Sequence, residues 1–267
     1  MNKEFQYQNK KIAYRLIGTG QPVMLVHGFG EDGTVWRNQI EFIKDKFKLI
    51  VPDLPGSGQS EIVDDMSMEG MAEVLHSIIH EEDIDHCPVI GHSMGGYITL
   101  ALAAAYPNHV NAFGLFHSTS FADSEEKKAA RQKGIENIRQ HGAAEFLKTM
   151  IPGLFSQSSR DEMPELVDEQ IALSHNFLPQ ALVLYYQAMI QRPDRTNLLR
   201  SSTIPVLFVI GKNDTAVPPD DSLKHCHLPD KSYIHLLQKA GHMGMLEEPA
   251  ACNHYLEKFL LDVPAQF

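Results

Sequence analysis

Apolar residues in this chain follow two rhythms that change place along its length. Residues 5–8 alternate apolar and polar positions, and with the mostly apolar stretch 12–17 on the far side of Asn9-Lys10 they predict an antiparallel hairpin. Short continuous apolar runs follow at 23–26, 49–51, 88–90 and 112–116, and again at 204–210 and 233–237. Runs of that length predict strands buried on both faces. Between them, residues 36–46, 68–81 and 94–105 read as helices, and Pro107 closes the third. Strands alternating with helices imply parallel βαβ units, hence an α/β fold with a doubly wound, mostly parallel sheet.

The alternation lapses between Thr119 and about Ser202, where no strand-like run occurs. Asp123-Ser124-Glu125-Glu126 resembles a capping box that opens a helix toward Gln140, and Gly142 reads as its stop signal. Further helices are predicted over 143–150, 164–174 and 179–191, and a last one over 248–261. The expected organisation is one domain, 1–267, with a core made of 1–118 and 203–267 and a helical insertion, 119–202, between two strands of the sheet.

Candidate chemistry sits at the joints of this pattern. Gly91-His92-Ser93-Met94-Gly95 is a G-x-S-x-G run between a predicted strand and a predicted helix. A serine on that turn projects its hydroxyl beside a helix N-terminus, where free N–H groups favour negative charge. The glycines let strand and helix approach closely. Such a nucleophile needs a base and an acid to orient it. Asp214 follows the run 204–210, and His242 lies in the Gly-flanked loop after 233–237. The order Ser, Asp, His is the one that goes with this elbow. Asp123, after the run 110–116, is a competing acid. An oxyanion hole needs two backbone N–H donors. They are expected from Met94 and, in the loop His27-Gly28-Phe29-Gly30, from Phe29, with Gly28 and Gly30 supplying positive φ. His27 is expected to be a structural hydrogen-bonder, and His92 to pack under the elbow.

With Asp53-Leu54-Pro55-Gly56-Ser57-Gly58-Gln59-Ser60, which matches D-x-P-G-x-G-x-S, these motifs resemble the α/β-hydrolase fold superfamily over nearly the whole chain. The loop resembles its epoxide hydrolase-like and lipase-like branch. That branch often carries Asp at the nucleophile, where this chain has Ser93. The resemblance implies a serine hydrolase with a lid formed by the helical insertion. The implied reaction is cleavage of a carboxylic ester or thioester of a small to medium apolar substrate through an acyl-enzyme. Two other readings remain open. C–C bond hydrolases of this fold share the length and residue order, but usually carry a Trp soon after the base, and the single Trp here is Trp36. Ligand-sensing regulators of the fold keep a triad and turn over slowly.

Bulk composition narrows partners more than chemistry. A formal net charge of −11 without a basic stripe disfavours nucleic acid and anionic membrane surfaces. No apolar run reaches ~18 residues, and no secretory signal precedes the first strand, so a cytoplasmic location is expected. Three widely spaced cysteines, Cys87, Cys226 and Cys252, suit a reducing compartment. No H-E-x-x-H or paired C-x-x-C appears, so no metal or cofactor is expected, and His225-Cys226-His227 reads as a surface turn. The insertion holds ten Lys and Arg against eleven Asp and Glu. No conspicuous basic cluster marks a strongly anionic substrate, although a single inward Arg would escape such a count. Of its apolar residues Phe146, Met150, Leu154, Phe155, Phe177, Leu182, Tyr185, Tyr186 and Met189, fewer than half are expected to touch substrate.

Overall fold

The computed structural model describes residues 1–263. Eight strands form one sheet: β1 Asn2–Tyr7, β2 Lys10–Ile17, β3 Gln21–Val26, β4 Phe47–Pro52, β5 Cys87–His92, β6 Val110–Phe116, β7 Val206–Gly211 and β8 Ser232–Leu237. Their order is β1-β2-β4-β3-β5-β6-β7-β8. β1 and β2 pair antiparallel and β2 pairs antiparallel with β4; every other pairing is parallel. Burial explains the two rhythms in the sequence. Edge strand β1 alternates exposed and half-buried positions, while β5 and β7 are buried at every position. A strand covered on both faces has no polar side to show.

Helices flank the sheet. α1 Arg37–Ile43, α2 Met68–Glu81 and α3 Met94–Ala105 fall within the first half of the sheet. Ser67 caps α2 by accepting the Gly70 N–H at 3.0 Å. α3 is apolar almost all round because it is buried. The order β4-β3-β5 places a topological switch between β3 and β5. Chain leaves β3 toward one side of the sheet and β5 toward the other, which opens a crevice at their carboxyl ends.

Between β6 and β7 the chain is helical throughout, in α4 Glu125–His141, α5 Ala143–Met150, α6 Gln157–Glu162, α7 Pro164–Leu173, α8 Pro179–Gln191 and α9 Thr196–Arg200. α10 Pro219–Leu223 follows β7; α11 Gly244–Glu247 and α12 Pro249–Asp262 follow β8. Gly142 ends α4 at φ 83, a left-handed residue where a stop was expected. The cap of α4 is Ser124, which accepts from the Lys127 N–H; Asp123 is turned to other partners. α6 and α9 escaped the sequence pattern because they are five or six residues long. His225 and Cys226 lie in a buried turn, correcting the surface turn read from sequence. His225 stacks on Phe121 and bonds the Ser120 hydroxyl at 2.6 Å, and burial pulls its pKa down to about 4.

Candidate active site

Ser93 stands between β5 and α3 at φ 50, ψ −116. A serine does not hold that conformation without help. Its N–H donates to the Phe116 carbonyl at 2.9 Å, and its own carbonyl accepts from the Ser118 hydroxyl at 2.8 Å. Close packing demands the two glycines beside it. A Cβ on Gly91 would lie 2.3 Å from the Gly95 oxygen, and one on Gly95 would lie 2.4 Å from the His27 oxygen. Strand and helix therefore meet backbone to backbone, which fixes where the hydroxyl points.

His242 follows β8 and faces that hydroxyl, with Nε2 2.8 Å from Ser93 Oγ. Its Nδ1 lies 2.8 Å from Asp214 Oδ2, beyond the end of β7. Asp214 Oδ1 accepts the N–H groups of Ala216 and Val217 at 2.9 and 2.8 Å. Oδ2 also meets Nδ1 of His117 at 3.3 Å. Burial alone would push the Asp214 carboxyl up, but the His242 and His117 rings and their hydrogen bonds hold it well below the usual carboxylate range. Asp123 takes no part in this chain of hydrogen bonds. Its carboxylate is engaged by Arg131 and Arg192 instead.

The loop after β3 closes the other side. His27 Nε2 accepts the Leu54 N–H at 2.9 Å, so its hydrogen is on Nδ1, which donates to the Gly28 carbonyl. That fixes the tautomer and ties this loop to the 53–60 loop, as a structural histidine should. Gly30 has the positive φ expected of it, 69°; Gly28 does not. Space is tight at Gly28 instead, since a Cβ there would sit 3.0 Å from His92 Nδ1 and 3.1 Å from Glu31 Oε2 and would press on that pair. Among the described residues neither the Phe29 N–H nor that of Met94 has an acceptor outside regular structure, and Met94 as the first residue of α3 has none within its helix.

His92 does pack beneath the elbow, fully buried, but with a partner the sequence did not reveal. Its Nδ1 faces Glu31 Oε2 at 2.9 Å and its Nε2 faces the His242 carbonyl at 3.0 Å. Both neighbours accept hydrogen bonds, and Glu31 also accepts the Gly28 N–H at 2.8 Å. An imidazole between two acceptors carries hydrogen on both nitrogens, so this is a buried His92⁺–Glu31⁻ pair. Burial disfavours both charges, yet mutual attraction and hydrogen bonding raise the pKa of His92 and lower that of Glu31.

Glu247 is a second unforeseen residue. One carboxylate oxygen accepts the N–H groups of Gly241 and Met243, on either side of His242, at 2.9 and 3.0 Å. The other accepts the Ser156 N–H and the Ser159 hydroxyl, so Glu247 clamps the histidine loop to the insertion. His117 is a third; it was visible in sequence only as one histidine among 14. His117, Asp214 and His242 bring ligand-type atoms within 4.8 Å of one another, as a metal site would. Those atoms are already engaged with each other, both ring Nδ1 positions meeting Asp214 Oδ2.

Ser93 and His242 line a cavity of about 250 Å³ roofed by the insertion. That is just below the ~300 Å³ lower end usual for small-molecule pockets. Of the insertion's apolar residues named above, Met150, Leu154, Tyr186 and Met189 line it. Tyr186 stacks flat on Phe29, ring centroids 4.3 Å apart. Tyr185 turns away and donates to the Pro55 carbonyl at 2.5 Å, pinning the insertion to the core.

Comparison with known proteins agrees with this architecture. The α/β hydrolase fold family model matches residues 21–140. A thermophilic esterase from Thermogutta terrifontis, solved with malate bound, superposes with a TM-score of 0.92 at 29% identity, covering 99% of this chain and 100% of that one. A pimeloyl-[acyl-carrier protein] methyl ester esterase of Aeromonas hydrophila is 24% identical over 93% of this chain and 99% of its own. The (E)-2-((N-methylformamido)methylene)succinate hydrolase of Acinetobacter baylyi is 24% identical over 99% of this chain and 100% of its own. The chain has the α/β-hydrolase fold. It is an enzyme of the hydrolase class. No helix among the described residues is long and apolar enough to cross a membrane.

Proposed function

We propose that this protein is a serine esterase that cleaves a carboxylic ester, or a thioester, of a small substrate through an acyl-enzyme. The observation that carries the reading is the continuous hydrogen-bonded line Ser93–His242–Asp214, each link 2.8 Å, opening on the cavity. His242 takes the Ser93 proton as Oγ attacks the carbonyl carbon, and Asp214 fixes the tautomer and stabilises the imidazolium. The N–H groups of Phe29 and Met94 hold the oxyanion. The leaving alcohol takes the proton from His242; water then attacks the acyl-enzyme by the same route and frees the acid. Relatives whose names state ester cleavage support the reading. The insertion 119–202 acts as the lid that sizes the substrate.

A panel of esters of graded acyl length, with Ser93→Ala as control, tests it. Multiple turnovers lost by about 10³-fold or more in the variant are expected. A folded protein that labels at Ser93 with a fluorophosphonate yet turns over none of the esters overturns it in favour of C–C cleavage or ligand sensing.

A further inference from the structure

The insertion's charges nearly cancel along the sequence but do not cancel in space. Lys127 and Arg131 are four residues apart on α4, hence on one face of it, and both line the cavity that holds Ser93. The fully buried Asp123 carboxylate is shared by two guanidinium groups. Its Oδ2 accepts Arg131 Nε at 2.5 Å and its Oδ1 accepts Arg192 Nη1 at 2.8 Å. Arg192 lies over the Tyr97 ring, itself part of the cavity wall, at 3.8 Å. Among the described residues, Arg131 Nη1 has no protein acceptor and the Lys127 ammonium has no acidic partner, the one hydrogen bond of Lys127 outside its helix being that of its backbone N–H to Ser124. Lys127 and Arg131 thus present positive charge to the cavity, while the Asp123 carboxylate is shared between Arg131 and Arg192, which does not line it. Across the cavity Glu31 cannot balance them, since its charge is matched by His92⁺.

A half-buried lysine without an acidic partner, beside an arginine with a free Nη1, is a ready site for an anion that enters the cavity. The molecule as a whole carries −11, so a bound anion gains nothing from the global field and depends on this local group. Resting on the esterase reading, we propose that Lys127 and Arg131 form a carboxylate subsite, and that the substrate is a half-ester: an ester at one end and a free carboxylate at the other. Met150, Leu154 and Met189 enclose the short apolar stretch between them. Arg131, preorganised by Asp123, offers Nη1, and Lys127 supplies a second charge-assisted hydrogen bond. Hydrolysis consumes one water and releases the alcohol and a dicarboxylate. The enzyme therefore belongs after a reaction that forms a mono-ester of a diacid, or one that opens a ring to leave such an ester.

Matched pairs of esters decide the matter: monomethyl glutarate and monomethyl adipate against methyl pentanoate and methyl hexanoate. The wild type is expected to favour the half-esters in kcat/KM by roughly tenfold or more, the discrimination a charge-assisted hydrogen bond supplies. Lys127→Ala lowers that preference about tenfold, with the loss in KM, and Lys127→Glu inverts it. Equal kcat/KM for both partners of each pair in the wild type overturns the subsite while leaving the esterase reading intact. Should no ester be turned over, calorimetry with glutarate still decides. Binding to the wild type that weakens about tenfold in Lys127→Ala supports the subsite, and no binding overturns it.

Discussion

On the sheet side of the cavity every buried carboxylate is matched. Glu31 has His92⁺ and the Gly28 N–H, and Asp214 has two rings and two amides. On the insertion side the balance fails, with two arginines on Asp123 and Lys127 without an acidic partner among the described residues. Buried ion pairs stabilise little, because desolvation cancels most of their attraction, but they fix geometry. The sheet side uses charge to hold reacting groups still. The insertion keeps unspent positive charge, which is what a recognition surface needs. On the proposed reading, chemistry falls to the sheet side and choice of substrate to the insertion.

The sharpest test of that division compares the two buried aspartates. Asp214→Asn is expected to lower kcat by about 10⁴-fold through the wrong histidine tautomer. Asp123→Asn should hold kcat on a neutral ester within about tenfold, since it is linked to the reacting groups only through Arg131 and Arg192. A silent Asp214→Asn beside a damaging Asp123→Asn would reverse the assignment of the acid.

Next comes the buried pair beneath the elbow. Glu31→Gln leaves His92 without its counter-charge and should cost on the order of 3 kcal/mol of stability, read by chemical denaturation. The pH dependence of melting separates the two regions further. The carboxyls of Glu31, Asp214 and Asp123 are all depressed, so what they contribute is present above the ordinary carboxylate range and is lost as pH falls through their lowered values. Acid therefore weakens both regions. The pKa of His92 is raised, so its contribution is complete below the ordinary histidine value and is lost as pH rises through the raised one. The sheet side loosens as His92 gives up its proton, and Glu31→Gln should remove that loss; the insertion's buried Tyr185 and Tyr186, whose pKa values burial raises, cost stability only above the ordinary tyrosine value. A wild-type melting temperature flat through the alkaline limb would contradict the ion pair.

The smallest effect belongs to the roof. Tyr186→Ala removes the ring stacked on Phe29 and enlarges the cavity. The ratio of kcat/KM for a hexanoate ester to that for an acetate ester should rise by up to about tenfold, the worth of one or two buried methylenes. An unchanged ratio would mean that Tyr186 does not size the substrate.

Much of this was legible in the chain because it is local. Gly91, Pro107 and Gly142 act on their own backbone neighbourhood, and the runs at 88–90 and 204–210 are apolar because both faces of β5 and β7 are covered. Ser93, Asp214 and His242 each follow a strand in a fixed order, so position along the sequence was enough to bring them together as candidates. Asp214 was the acid read from sequence, with Asp123 as the competitor after another strand of the same sheet; in space Asp214 meets His242 and Asp123 meets Arg131 and Arg192.

Other features depend on partners far apart in sequence. Glu31 meets His92 across 61 residues, His117 meets Asp214 across 97, and Glu247 reaches Ser156 across 91. No periodicity or motif encodes such meetings; the sheet order and the crossing of its loops create them. The same holds for Lys127 and Arg131, where a count of charges over the insertion comes to nearly zero and only the seating of α4 over Ser93 turns two of them inward. Sequence thus determined the strand and helix order and offered Ser93, Asp214 and His242 as a candidate trio, because each is placed by backbone geometry within a few residues of a strand end. Tertiary structure decided which charges are matched and which are left for a ligand, because pairing depends on distance in space and on exclusion of water.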